Sequence, residues 1–265
     1  MPPITSHSYI TVVPAYRALP WASEAFSLAQ LRKLGIQNVT LVCPSHLDVS
    51  AYLDLVPDLK VVRLPDEHFL SVQSYNNLML QSWFYEMFAP DYRWMLIHQL
   101  DAFLLENHIS AFCELGYDYY GAPWQSGFPQ YRFAFNRWPI RINGKRFKVG
   151  NGGLSLRNLS KTVDLLGRKQ GHVSNTFFME DAFFGYWGAI DGHFHACPEA
   201  IAATFALESH PEHWLKQTGK LPMGIHGYGV WSQDFYKPLL DEAYGKLIAD
   251  FPQLQSLDQA QYTEC

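Results

Sequence analysis

The 265-residue sequence has only four cysteines, Cys43, Cys113, Cys197 and Cys265, widely scattered and without a CxxC pair. That spacing argues against a zinc knuckle or a disulfide scaffold and suggests reduced thiols, hence a cytoplasmic protein. No apolar run approaches the roughly 20 residues that cross a bilayer. The first residues, MPPITSHSYI, lack the basic and apolar regions of a signal peptide. No transmembrane segment is therefore expected, and any membrane association would be peripheral. Strong positive charge is missing too: a net charge of -5 predicts no general attraction to nucleic acid or to an anionic membrane. Internal repeats, low-complexity tracts and obvious linkers are absent. One local absence stands out. Gln125 to Gly150 contains no acidic residue, yet carries Arg132, Arg137, Arg141, Lys145, Arg146 and Lys148. Those cations form either a solvated basic hairpin or a surface that meets a phosphate-bearing substrate.

What is present is the composition of an ordinary soluble globular protein, 48% hydrophobic and 17% charged. Aromatic residues reach 15%, a supply of surfaces that stack on sugar rings or bases. Tyr9–Val13, Val39–Cys43 and Leu59–Leu64 read as buried strands, and Ser23–Leu34 as a helix closed by Gly35. This β-α-β alternation predicts a mostly parallel sheet wrapped by helices. Ser71–Phe88, free of Gly and Pro, predicts one long helix with a polar spot at Tyr75, Asn76 and Asn77. Ile109–Leu115 and Ser160–Leu166 read as helices, Ala200–Glu208 as a strand, and the chain from Ser232 as a helix. Asn143-Gly144 between Ile140–Ile142 and Arg146–Val149 predicts a two-residue hairpin turn. Residues 1–250 are expected to form one domain, with 251–265 as a mobile tail.

The candidate chemistry starts at WMLIHQLDAFLL, Trp94 to Leu105. An apolar strand interrupted by His98, Gln99 and Asp101 places a carboxylate at the lip of a sheet, where open α/β folds bind ligands. Asp101 is then either a capped structural residue or a ligand for a divalent metal or a sugar hydroxyl. VGNGGLSLRN, Val149 to Asn158, packs three glycines around Asn151, a backbone that bends tightly or lets a ligand come close. It matches neither a Walker loop nor GxGxxG. NTFFMEDAFFGYW sets Glu180-Asp181 among aromatics, where a carboxylate is costly unless it has a partner or a task, and where a raised proton affinity suits a general base. GIHGYGVW sets His226 between glycines, as a structural histidine or one aimed at a ligand.

In this order, QLD, the glycine loop, the ED pair and a C-terminal histidine resemble GT-A type glycosyltransferases. QLDAF, YDYYGAPW, GNGGLSLRN, MEDAFF and HGYGVW are more closely similar to a family of GT-A-related domains of unknown function, over roughly residues 8 to 235. The resemblance implies a GT-A-like, Rossmann-like mixed α/β fold with a mostly parallel central sheet. It implies transfer of a sugar from a nucleotide-sugar donor to a hydroxyl of a glycan or glycolipid acceptor, inverting by analogy, in a surface-glycan pathway. Asp101 and His226 would hold Mn²⁺ or Mg²⁺ together with donor diphosphate oxygens. Asp181 would be the general base, and Glu180 would orient the acceptor or that base. Gly152 and Gly153, beside Asn151, would let the backbone approach the donor sugar, and Pro14, Tyr16 and Arg17 would line the nucleotide pocket. Gln99 departs from the family by standing where the first acid of a DxD motif is expected, which leaves the metal one carboxylate short. Two other readings remain open: a non-catalytic carbohydrate- or nucleotide-sugar-binding domain, and a sugar nucleotidyltransferase. The latter would need a basic loop after the first strand, where only Arg17 stands.

Overall fold

The computed structural model describes residues 8–133, 139–176 and 179–256. The three expected strands appear as β1 (Tyr9–Pro14), β2 (Val39–Pro44) and β3 (Lys60–Leu64), alternating with α1 (Ala22–Lys33) and α2 (Ser50–Leu55). Gly35 ends α1 at φ +64, a left-handed conformation glycine adopts without strain. Next come a 3-10 turn (Asp66–Phe69), α3 (Val72–Met79), α4 (Ser82–Glu86), β4 (Trp94–His98), β5 (Ala102–Leu104) and α5 (Ile109–Glu114). β6 (Tyr119–Tyr120), β7 (Pro123–Phe133), β8 (Pro139–Val149) and β9 (Leu154–Asn158) lead to α6 (Leu159–Thr176), α7 (Glu180–Ile190) and α8 (Glu199–Phe205). β10 (Ala206–Leu207), α9 (Pro211–Thr218), β11 (Gly224–His226) and α10 (Gln233–Asp250) complete the chain, apart from a final 3-10 turn (Pro252–Ser256).

The main sheet has the order β3-β2-β1-β4-β9-β6. β1 to β4 are mutually parallel and β9 runs antiparallel to both its neighbours. β2 and β4 are buried along their whole length, as strands covered on both faces are. A second sheet, β10-β11-β5, and a separate ribbon, β7-β8, flank this core. The expected mixed, mostly parallel α/β architecture is what the chain adopts.

Four local expectations are corrected. Ser71–Phe88 is two helices, because the chain turns at Leu80 and side chains take the carbonyls that a continuous helix would use: Gln81 Nε2 donates to Asn77 O at 3.0 Å and Tyr85 Oη to Met79 O at 2.7 Å. The Trp94–Leu105 run, by contrast, breaks at its polar cluster as expected. β4 ends at His98, Gln99–Asp101 turns, with Ala102 N bonded to Gln99 O at 2.9 Å, and β5 joins the other sheet. Asn143-Gly144 lies inside β8 rather than at a two-residue turn. The β7-β8 register slips between Pro129↔Arg146 and Tyr131↔Arg141, so the Asn-Gly signal falls on a strand irregularity. Ala200–Glu208 is mostly helix, as its alanines favour, with strand only at Ala206–Leu207. The start of the expected tail is packed: Phe251 and Leu254 are buried, while 257–265 lie outside the described residues.

Candidate active site

Four segments meet where β1 and β4 end. β4 delivers Gln99 and Asp101 as it leaves the main sheet, and Gln99 N donates to Gly153 O at 2.7 Å, tying that turn to the glycine loop. The small sheet supplies the rest. Its pairings Leu207↔Ile225 and His226↔Ala102 set Glu208, His226 and Asp101 side by side across its end. His226 Nε2 lies 3.3 Å from Asp101 Oδ1 and 3.3 Å from Gln99 Oε1, while Nδ1 lies 3.3 Å from Glu208 Oε1. Burial disfavours a charged imidazole, but the two carboxylates outweigh it and push the His226 pKa up to about 10. For Asp101 burial acts upward, and the His226 charge overcomes it to hold the carboxyl below its usual range. His98, fully buried with neither ring nitrogen hydrogen-bonded, is kept neutral by desolvation, its pKa lowered to about 4.

The glycine loop joins this row to the acidic pair. A Cβ on Gly153 would lie 1.9 Å from His226 Nε2, and one on Gly152 would lie 2.2 Å from Glu180 Oε1. Consecutive residues thus seat the histidine and the carboxylate, and the absence of two side chains is what lets them approach. Asn151 turns the loop at φ 107, and its Oδ1 accepts from Gly153 N at 2.9 Å. Gly153→Ala should therefore force the His226 ring from its place and cost about 1–3 kcal/mol of stability. Urea unfolding of the two proteins checks this; unchanged stability would refute the packing described.

Glu180 does not face outward as an acceptor-orienting group would. Its Oε1 accepts from Arg157 NH2 at 2.6 Å, and both side chains are essentially fully buried. Arg157 also donates to Tyr85 Oη at 2.5 Å and Ser155 Oγ at 3.0 Å, with Phe184 4.6 Å from its guanidinium carbon. Asp181, one residue on and only partly buried, accepts from Ala182 N at 2.6 Å. Burial, then the Glu180 charge, with a smaller push from Glu208, raises its pKa to about 7. Asn76 on α3 approaches the start of α7, its Oδ1 3.5 Å from Glu180 N. Tyr75 on α3 has a buried hydroxyl; burial and the Glu180 charge raise its pKa, partly offset by Gln99.

Pro14, Tyr16 and Arg17 lie at the end of β1 as expected, yet Arg17 is already committed. It forms an ion pair with Glu24 and stacks 3.5 Å over the Trp21 ring, so its charge is largely spent within the fold. Glu24 in turn is close enough to feel Asp101. Sequence reasoning missed Glu208, Arg157 and Tyr75 as members of the site. Arg157 was within the glycine-loop motif; Glu208 had no motif and is found only through strand register.

Among the described residues no three His, Cys, Asp or Glu side chains form a metal cage. What converges is one carboxylate, one imidazole and one amide oxygen. That donor set fits an open site for a hard divalent ion such as Mn²⁺ or Mg²⁺, not a closed structural one.

Among solved structures the chain is similar to mouse xyloside xylosyltransferase 1 in its apo form, with a TM-score of 0.51 and 14% identity over 83% of this chain and 97% of that one. It is also similar to an active-site mutant of LgtC, with a TM-score of 0.50 and 14% identity over 88% of this chain and 95% of that one. At such identities the likeness speaks for the fold, which is that of GT-A glycosyltransferases. No curated protein matches the sequence. The family model described as "Protein of unknown function (DUF5672)" matches residues 58–226, ending on His226 itself, and the chain belongs to that family.

Proposed function

We propose that this chain is a nucleotide-sugar-dependent glycosyltransferase acting on a hydroxyl of a glycan or glycolipid acceptor. The observation that carries this reading is the meeting, at one edge of a GT-A-like sheet, of the Asp101–His226–Glu208 row with Asp181, a carboxylate whose pKa is pushed up to about 7. A carboxylate in that range accepts a proton at neutral pH without holding it too tightly.

In this reaction the acceptor oxygen attacks the anomeric carbon, the bond from that carbon to the diphosphate breaks, and the acceptor proton passes to Asp181. Arg157 fixes Glu180, whose charge keeps Asp181 basic. Asp101, His226 Nε2 and Gln99 Oε1 would hold Mn²⁺ or Mg²⁺, which when bound neutralises charge on the departing diphosphate. Glu208 Oε1 accepts the hydrogen bond from His226 Nδ1–H and so leaves Nε2 facing Asp101, the carboxylate–histidine pairing that orients metal-ligating imidazoles. To ligate a divalent ion, His226 would give up at Nε2 a proton that the two carboxylates favour, so affinity for such an ion should fall as pH falls. The commitment of Arg17 to Glu24 counts against the nucleotidyltransferase reading, which needs free cations after β1.

A thermal-shift screen of UDP-, GDP-, CMP- and dTDP-sugars, with and without Mn²⁺, tests the reading. Metal-dependent stabilisation by one nucleotide class, followed by donor turnover, is expected. Stabilisation without any turnover, transfer or hydrolysis would favour the binding domain suggested by Gln99, and transfer unaffected by exhaustive EDTA treatment would remove the metal.

A further inference from the structure

Trp231 presents an open indole beside the site, 49% exposed. A single exposed apolar side chain needs no explanation by itself; the way this one is seated does. Gly227 follows His226 directly, turns at φ +61, and donates its N–H to Asp101 O at 3.1 Å. A Cβ on Gly227 would lie 2.9 Å from Trp231 Cδ1 and 3.7 Å from Glu208 Oε1. The indole therefore lies against bare backbone that is itself bonded to Asp101, and the Glu208 carboxylate flanks the same Cα.

The turn that brings the ring back to Gly227 is held at several points. Gly227 O accepts from Val230 N at 2.9 Å and from Trp231 N at 2.8 Å. Ser232, the next residue, sits at φ 50, a left-handed conformation that costs a non-glycine residue energy and that is found most often at functional sites. Gln233 Nε2 donates to Gly229 O, and Tyr236 Oη ties the start of α10 to Glu208 O at 3.1 Å. On this fixed backbone the ring itself is uncommitted: among the described residues Trp231 stacks on no other ring, and its side chain makes no hydrogen bond. An open aromatic face next to carboxylates matches a pyranose, whose C–H face packs on the ring while its hydroxyls reach the polar groups alongside.

The neighbours of the ring decide which substrate it meets. Asp101 is the end of the row that faces β1: Glu24, the partner of Arg17, feels its charge, and exposed Tyr16 stands there with the Arg17 guanidinium 4.9 Å from its ring. An aromatic for a nucleobase is thus already present at that end. Trp231 flanks Glu208, the carboxylate of the row whose charge reaches Asp181.

We propose that the Trp231 indole is the platform on which the acceptor's pyranose ring stacks, so that the accepting hydroxyl belongs to a sugar with an open C–H face rather than to a lipid or an open-chain polyol. That the stacked sugar is the acceptor rests on the transferase reading; that a sugar stacks there does not.

The test compares the wild type with W231A and W231F, using the methyl pyranosides of glucose, galactose, mannose, xylose and N-acetylglucosamine as probes. Saturation-transfer difference NMR without donor should detect at least one of them on the wild type. W231A should bind it on the order of 10-fold more weakly at an unchanged Tm, and W231F, which keeps a ring, should lose much less. In transfer from the donor found by the thermal-shift screen, the W231A defect should fall on the KM for the pyranoside rather than on kcat. No pyranoside binding by the folded wild type, or equal binding by W231A, would overturn the proposal. So would a W231A protein that loses nucleotide-induced stabilisation while keeping its pyranoside affinity, because the ring would then serve the donor's base. Since the NMR arm needs no donor, Trp231-dependent binding without any turnover sinks the transferase reading alone, and a wild-type KM in W231A sinks the stacking alone.

Discussion

Asp181→Asn should lower kcat by about 10²- to 10⁴-fold, the range lost with a general base, while leaving donor-induced stabilisation intact. It should also make the protein more stable above pH 7. The Asp181 carboxyl is moved from an ordinary 3.8 to about 7, by burial first and the Glu180 charge second. Between those two values the folded state keeps a proton that the unfolded chain has released. Stability therefore falls as pH rises through this window, and the loss is complete above about 7. Asparagine carries no charge at any pH, so the gain in Tm should appear at pH 8 and vanish near pH 4. The same group predicts that kcat/KM of the wild type climbs with pH on a limb centred near 7 and that the variant lacks this limb. Melting curves at the two pH values and a pH–rate profile decide the matter together. A variant with near-normal turnover ends Asp181's role as base, and one with no pH-dependent stability gain means that the carboxylate is solvated after all.

The second large effect concerns stability. Arg157→Met should cost about 3–5 kcal/mol, because it leaves the Glu180 carboxylate buried without its cation. The Arg157→Met/Glu180→Gln double variant should recover most of that loss, since the uncompensated charge is gone. Urea unfolding of the three proteins measures it. A single variant that loses less than about 1 kcal/mol would show the pair to be hydrated. In the double variant Asp181 also loses the charge that keeps it basic, so the kcat/KM limb should move to lower pH.

The parts of this site that sequence reasoning could see are those where one residue type answers one local demand. Asp101 ended an apolar strand, His226 stood between glycines, and Glu180-Asp181 broke an aromatic stretch. The parallel β1, β2 and β3 were legible for the same reason, as apolar runs bounded by turns. What stayed hidden depends on partners far away in sequence. Glu208 becomes a neighbour of His226 only when β10 pairs with β11, and nothing in the residues around it announces that register. The break between α3 and α4 has no Gly or Pro to mark it, because Gln81 and Tyr85 make it by taking backbone carbonyls. Gly152 and Gly153 were recognised as a place of close approach; the closest groups turn out to be the protein's own Glu180 and His226. Asn-Gly in β8 shows the opposite failure, a strong local signal absorbed into a register slip.

The way the ribbon joins the fold bears on how such a family diversifies. Its first and last residues pair with each other, Pro123 with Val149, so material can be added or removed between them without moving β6, β9 or the glycine loop. The segment is, in effect, an exchangeable cassette closed by one clasp, whereas Asp101, His226 and Glu208 are locked by the register of a sheet. Selection can then rework the ribbon at little cost to the chemistry beside it, and recombinant swaps of 129–145 between family members should yield folded proteins with an unchanged main sheet.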